Sequence, residues 1–135
     1  MRNRLLLTVA PMLLLALGCG DSNHAPVSGT VTRDGKPLAN VVVIFQPAGD
    51  GPLNPGMGST GRTNDKGEYA LKVVGGGAGA VVGKHRVEIL PTVAGDDDRR
   101  ASLNTKIPAR YNSKTQLKFE VRPGPNTANF ELASK

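Results

Sequence analysis

The sequence predicts an all-β fold, a seven-stranded Greek-key-type β-sandwich, on three observations. From Val27 onward hydrophobicity repeats with a period of two, as in a strand with one buried face. Turn signals such as Asp34-Gly35 and Asn64-Asp65-Lys66-Gly67 recur between the alternating runs. The 17 glycines and 10 prolines also interrupt the chain too often for long helices.

Taken in order, "VSGTVTR" sets Val27, Gly29 and Val31 on one face, with Ser28, Thr30 and Thr32 opposite. Asp34-Gly35 supplies the positive-φ pair of a tight hairpin, and Lys36-Pro37 completes the turn. "NVVVIFQ" follows with Val41, Val43 and Phe45 expected inside; Val42 and Ile44 are apolar too, so both faces should be partly covered. Residues 47–58 have no usable period and read as a loop. "STGRT" is a short strand expected at a sheet edge, and "NDKG" is a second hairpin turn with Gly67 in the left-handed conformation. "EYALKVV" then directs Tyr69, Leu71 and Val73 inward. Beyond a Gly-rich loop, "KHRVEIL" groups His85, Val87 and Ile89. Residues 91–116 show little repeat of any kind. "LKFEVR" turns Leu117, Phe119 and Val121 inward, "PGPN" reverses the chain, and "TANFEL" closes it with Ala128, Phe130 and Leu132 inside. A domain of this length closes a core without disulfides.

Three of these stretches carry a resemblance. "VSGTVTRDGKPLANVVVIFQP", "GRTNDKGEYAL" and "GKHRVEI", in this order, resemble the carboxypeptidase regulatory-like domain, a transthyretin-like (prealbumin-like) sandwich. "IPARYNSKTQLKFEV" and "PNTANFEL" are similar to the closing part of small lipoproteins that carry this domain in planctomycete-type bacteria. The resemblance spans nearly all of residues 26–133 and implies the sandwich fold of that domain.

The N-terminus has the form of an export signal. Arg2 and Arg4 precede an apolar run, Leu5 to Leu17, that is shorter than the roughly 20 residues of a membrane-spanning helix. Ala16-Leu17-Gly18-Cys19 resembles the bacterial lipobox, with Ala16 at the position where leucine is commonest. Cys19 is the single cysteine, so no internal disulfide exists for it; the alternative is a free or intermolecularly paired thiol. Lipidation accounts for its number, position and flanks together. The expected organisation is therefore a signal peptide over 1–18, a lipidated tether over 19–26 and one domain over 27–135, with the protein on the cell envelope, membrane-attached through its N-terminal lipid.

Composition and motifs exclude several chemistries. Loss of Arg2 and Arg4 lowers the net charge of +6 by two, leaving a mild positive balance spread along the chain. With two tyrosines, three phenylalanines and no tryptophan, nothing suggests a nucleic-acid surface. Gly75-x-Gly77-x-x-Ala80 matches a dinucleotide fingerprint, but a strand follows where that chemistry needs a helix N-terminus. Gly83-Lys84 is followed by His85, not by the Ser or Thr of a phosphate loop. Neither His24 nor His85 belongs to a ligand set of zinc spacing, and His85 is expected partly buried and hydrogen-bonded at the sandwich edge. Asp96-Asp97-Asp98 lacks the spaced ligands of a calcium loop and is followed by Arg99-Arg100, which reads as a self-neutralising loop. Set beside catalytic sandwiches, the chain ends in "NFELASK" where hydroxyisourate hydrolases carry Tyr-Arg-Gly-Ser. It has no His-x-His pair of an intradiol dioxygenase, and nothing of a metallocarboxypeptidase's catalytic domain. The expectation is no catalytic residue, no metal and no cofactor; the rivals are an envelope polysaccharide-binding module and a small hydrolase with an unrecognised site.

If each strand reverses the last, the loop 47–58, the Gly-rich loop and "PGPN" share the end where the tether enters. The two other turns and residues 91–116 share the opposite end. That long segment carries Arg99, Arg100, Lys106, Arg110 and Lys114 with Tyr111, the one aromatic outside the expected core. It is a partner surface for an acidic envelope protein or polysaccharide, or a lid packed over the open end of the sandwich.

Overall fold

A computed structural model of the chain describes residues 23–49, 57–92 and 106–135. Alternation of buried and exposed side chains places the strands in chain order. They are β1 (His24–Ala25), β2 (Val27–Arg33), β3 (Lys36–Pro37), β4 (Val41–Pro47), β5 (Ser59–Arg62) and β6 (Glu68–Ala70). There follow β7 (Lys72–Val73), β8 (Ala80–Val81), β9 (Gly83–Pro91), β10 (Lys118–Val121), β11 (Asn126–Thr127) and β12 (Phe130–Leu132). Among the described residues the only helical segment is a 3₁₀ turn, Ala109–Tyr111. The described part of the chain is all-β.

One sheet runs β10-β9-β4-β5-β7, all antiparallel. In the other, β2 is flanked by β6 and β3 on one side and by β11 and β12 on the other. β6 and β3 are antiparallel to β2, whereas β11 and β12 run parallel to it, so the last strands pair with the first long one. Inward residues of both sheets share one apolar core. Val31, Val41, Val43, Phe45, Val87 and Ile89 are wholly buried, each contributing about 1.5–3 kcal/mol by leaving water. Phe45 lies at its middle, with ring centroids of Phe119 at 5.6 Å and Phe130 at 6.2 Å. Val42 and Ile44 are half-buried, as their apolar character predicts for a strand partly covered on both faces.

The hairpin turns form for the reasons their residues suggest. Asp34 (φ 51°) and Gly35 (φ 81°) both take positive φ, and Gly67 (φ 73°) does so with its backbone against the carbonyl of Val31. The Asn64 side chain accepts the backbone N–H of Lys66 and of Glu68, closing the second turn.

Four expectations are corrected. "STGRT" is not an edge strand, because the chain after Tyr69 changes sheets at Leu71: β6 pairs with β2, while β7 crosses to cover β5. "TANFEL" is likewise split at Ala128-Asn129, where the Asn129 side chain takes the Thr30 N–H that a continuous ladder would use. His24 and Ala25, read as tether, pair with β8, and Ala25 is buried. His85 lies on β9, one strand in from the edge, and is fully buried.

Strand directions follow from these registers. Val27, Pro47, Ser59, Val73, Gly83, Val121 and Asn126 lie toward one end, called here the entry end. Both hairpin turns, Pro91 and the 3₁₀ turn with its neighbours lie toward the other, the far end.

Candidate functional surfaces

The far end is closed by the segment leading into β10. Ile107 is buried, and Tyr111 and Leu117 pack half-buried against the core. Thr115 donates its hydroxyl to the carbonyl of Val87 at 2.7 Å, fastening the segment to β9. The Arg110 guanidinium stacks over the Tyr111 ring, 4.8 Å from its centroid, and donates to the carbonyl of Ala133 (2.6 Å) and to a main-chain oxygen of Lys135 (2.7 Å). Tyr111 Oη accepts the N–H of Ala133 at 2.9 Å. That bond, with help from Arg110, lowers the pKa of the phenol. Arg110 and Tyr111 are thus occupied in binding the C-terminal residues to the body of the domain.

The two other described cations of this segment face solvent. Lys106 and Lys114 are exposed, and their ammonium groups make no ion pair among the described residues. Arg33, at the end of β2, donates to the Lys106 carbonyl at 3.4 Å. Arg33, Lys106 and Arg110 line a cavity of about 590 Å³ together with Asp34, Pro108 and Ser134. Hydrogen bonds from Ser134, side chain first and then backbone, hold the Asp34 carboxyl below its ordinary range. The side chains lining the cavity are thus three cations and one carboxylate; with Arg110 already bound to C-terminal backbone oxygens, Arg33 and Lys106 are the cations left to attract an anion. Sequence reasoning missed Arg33 because it stands beside a turn, 73 positions from its contact at Lys106. Nothing local in the sequence signals that approach. Arg99, Arg100 and Asp96-Asp97-Asp98 lie outside the described residues, as does Cys19.

A second, larger groove of about 960 Å³ follows strands β9 and β10, lined by Lys84 to Arg86 and Thr115 to Glu120. His85 borders it, but burial removes water from its ring and lowers its pKa, against the opposing effect of the hydrogen bond to Gly83. Tyr69 is similarly buried, which raises its phenol pKa, and donates its hydroxyl to the carbonyl of Ala128. Both groups serve the core. Among the described residues no three His, Cys, Asp or Glu side chains converge as metal ligands would. The Gly-rich stretch passes from β7 through β8 into β9 with no helix after it, so it has no phosphate-binding helix terminus. Comparison with known proteins found no family model that matches the chain and no curated protein similar to it.

Proposed function

We propose that this protein is an exported lipoprotein, attached to a membrane of the cell envelope through Cys19, whose β-domain is a non-catalytic binding or structural module for an anionic partner. The finer fold belongs to the same reading. Leaving aside the two-residue elements β1, β3 and β8, and taking β6–β7 and β11–β12 each as one interrupted strand, gives seven strands, in sheets ordered β10-β9-β4-β5-β7 and (β11–β12)-β2-β6, with β6–β7 contributing to both. That order supports a Greek-key sandwich of the transthyretin-like, carboxypeptidase regulatory-like kind.

One observation carries the functional reading: the polarity of the domain. The chain from Cys19 enters at one end, and the cluster of Arg33, Lys106 and Arg110 lies at the other. A lipid at the first end would hold the second away from the bilayer, open to an acidic protein or polysaccharide of the envelope. The use of Arg110 and Tyr111 in fastening the C-terminus favours a lid at their own positions, leaving Arg33, Lys106 and Lys114 as the cations open to a partner.

Acyl labelling tests the anchor. Wild-type protein is expected to incorporate labelled fatty acid and sediment with membranes, and Cys19→Ser to do neither. Wild-type protein that is soluble with an unmodified thiol overturns the proposal. For the partner surface, Lys106→Glu with Lys114→Glu should weaken retention on an acidic polymer about tenfold at low salt and little at high salt. Retention unchanged in both salts would leave only the lid.

A further inference from the structure

Residues 73–83, "VVGGGAGAVVG", contain no charged side chain and are bracketed by Lys72 and Lys84. Ala80 belongs to the buried core and Val82 packs against it, but the tip of the stretch has no such role. Val81 and Val82 are half-buried, but the tip is open: Val74 is 50% exposed and Gly75 to Ala78 are exposed. Among the described residues, Val74 and Met57, at 58%, are the only large hydrophobic side chains left exposed. They are not scattered. The Val74 N–H donates to the carbonyl of Gly58 at 3.0 Å, which sets the two on adjoining loops at the entry end.

The N-terminal chain arrives at this same place. Ala25 pairs with Ala80, and the Val82 N–H donates to the carbonyl of Asn23 at 2.8 Å. Cys19 lies four positions before Asn23, so a lipidated Cys19 could be at most about 14 Å away along an extended chain. An apolar tip flanked by exposed lysines suits the boundary between headgroups and acyl chains. At such a boundary a valine and a methionine would enter the acyl layer while lysine stems reach back to anionic headgroups.

We infer that the Val74–Ala78 tip, with Met57, is a membrane-contact surface that seats the entry end of the domain on an anionic lipid bilayer. The inference rests on the anchor proposed above for its choice of occupant. It also sets orientation: a lipid on a short tether limits distance, and a second contact limits tilt, so the cationic far end points outward.

The chain has no tryptophan, so a single Val74→Trp reporter in the full chain reads depth directly. The acylated protein is reconstituted in phosphatidylglycerol–phosphatidylethanolamine vesicles, and quenching by brominated lipid is measured. Expected is a blue-shifted emission with quenching of about twofold or more, against none for Lys36→Trp at the far end. Adding Lys72→Glu and Lys84→Glu to Val74→Trp should remove roughly half of that quenching. Unchanged quenching in that variant overturns the inference, because tryptophan itself would then supply the contact. Equal signals from Val74→Trp and Lys36→Trp, in protein whose mass shows acylation at Cys19, also overturn it and leave the anchor standing. Absence of the acyl mass overturns the anchor instead. Titrating the same unlipidated Val74→Trp chain with these vesicles then decides the inference: quenching supports it, and no quenching overturns it.

Discussion

The Nδ1 atom of His85 lies 3.0 Å from the carbonyl of Gly83, which can only accept, so that nitrogen carries the ring proton. Nε2 is buried with no hydrogen-bond partner, and the ring packs against Phe45 with centroids 5.6 Å apart. A second proton would place a charge in the core, which is why burial lowers the pKa. The unfolded chain takes up that proton near its ordinary value of about 6.5, whereas the folded chain resists it until lower pH. Stability is therefore full above about pH 6.5 and falls as pH drops toward the folded value. His85→Phe keeps a ring against Phe45, and urea denaturation between pH 7 and pH 5 should show a flatter loss than in wild type. An equal slope in the two proteins would remove His85 as its source. Gly29 is a second position where one residue decides. A Cβ there would stand 1.8 Å from the carbonyl oxygen of Ala128, the acceptor of the Tyr69 hydroxyl. Backbone on both sides leaves little room to yield, so Gly29→Ala should cost about 3 kcal/mol in chemical denaturation. At Gly77 nothing lies within 4 Å of such an atom, and Gly77→Ala should be close to neutral.

Strand position governs how far a side chain's inward direction is realised. Phe119 and Phe130 both point to the core and both approach Phe45, yet Phe130 is buried and Phe119 only half-buried. The difference lies with β10, the outermost strand of its sheet, which leaves one flank of Phe119 uncovered. Phe130→Ala should cost about 3–5 kcal/mol and Phe119→Ala clearly less, while Glu120→Ala, on the exposed face, should be nearly neutral. Urea midpoints of the three variants check this order; equal losses for Phe119 and Phe130 would mean that the edge is covered in solution. The same logic explains the interrupted strands. Leu71 still donates its N–H to the carbonyl of Val27, but its own carbonyl accepts from Gly79, so the chain turns between sheets at that residue.

The first and last long elements complete each other. β12 pairs with β2 from Phe130↔Val31 to Leu132↔Arg33, and Asn126 pairs with Val27. Folding must close a loop of nearly the whole domain before that ladder forms, an entropic cost that grows slowly with length but delays folding. Deleting residues 126–135 would expose Val27 and Val31, and would free the Ile107–Leu117 segment from its contacts with Ala133 and Lys135. The truncated protein should show no cooperative urea transition and rapid proteolysis. A sharp transition would mean that the sheet β10-β9-β4-β5-β7 is stable alone.

Much of this architecture was legible in the residues because it is local. Period-two alternation identified Val41, Val43, Phe45, Val87, Ile89 and Leu132 as inward. Asp34-Gly35 and Gly67 announced their turns through the φ values they alone adopt at low cost. The lipobox-like Cys19 and the uncharged stretch between Lys72 and Lys84 are likewise plain in the sequence. What it did not contain is distance across the fold. The sheet change at Leu71 and the inner place of β5 depend on contacts between remote segments. So do the occupation of Arg110 and Tyr111 by the C-terminal backbone oxygens and amide, and the meeting of Arg33 with Lys106. Met57 and Val74 become one surface only when two loops are set side by side. Periodicity reports which face of a strand is buried; which strand lies beside it is decided by packing a shared core, and no local pattern encodes that choice.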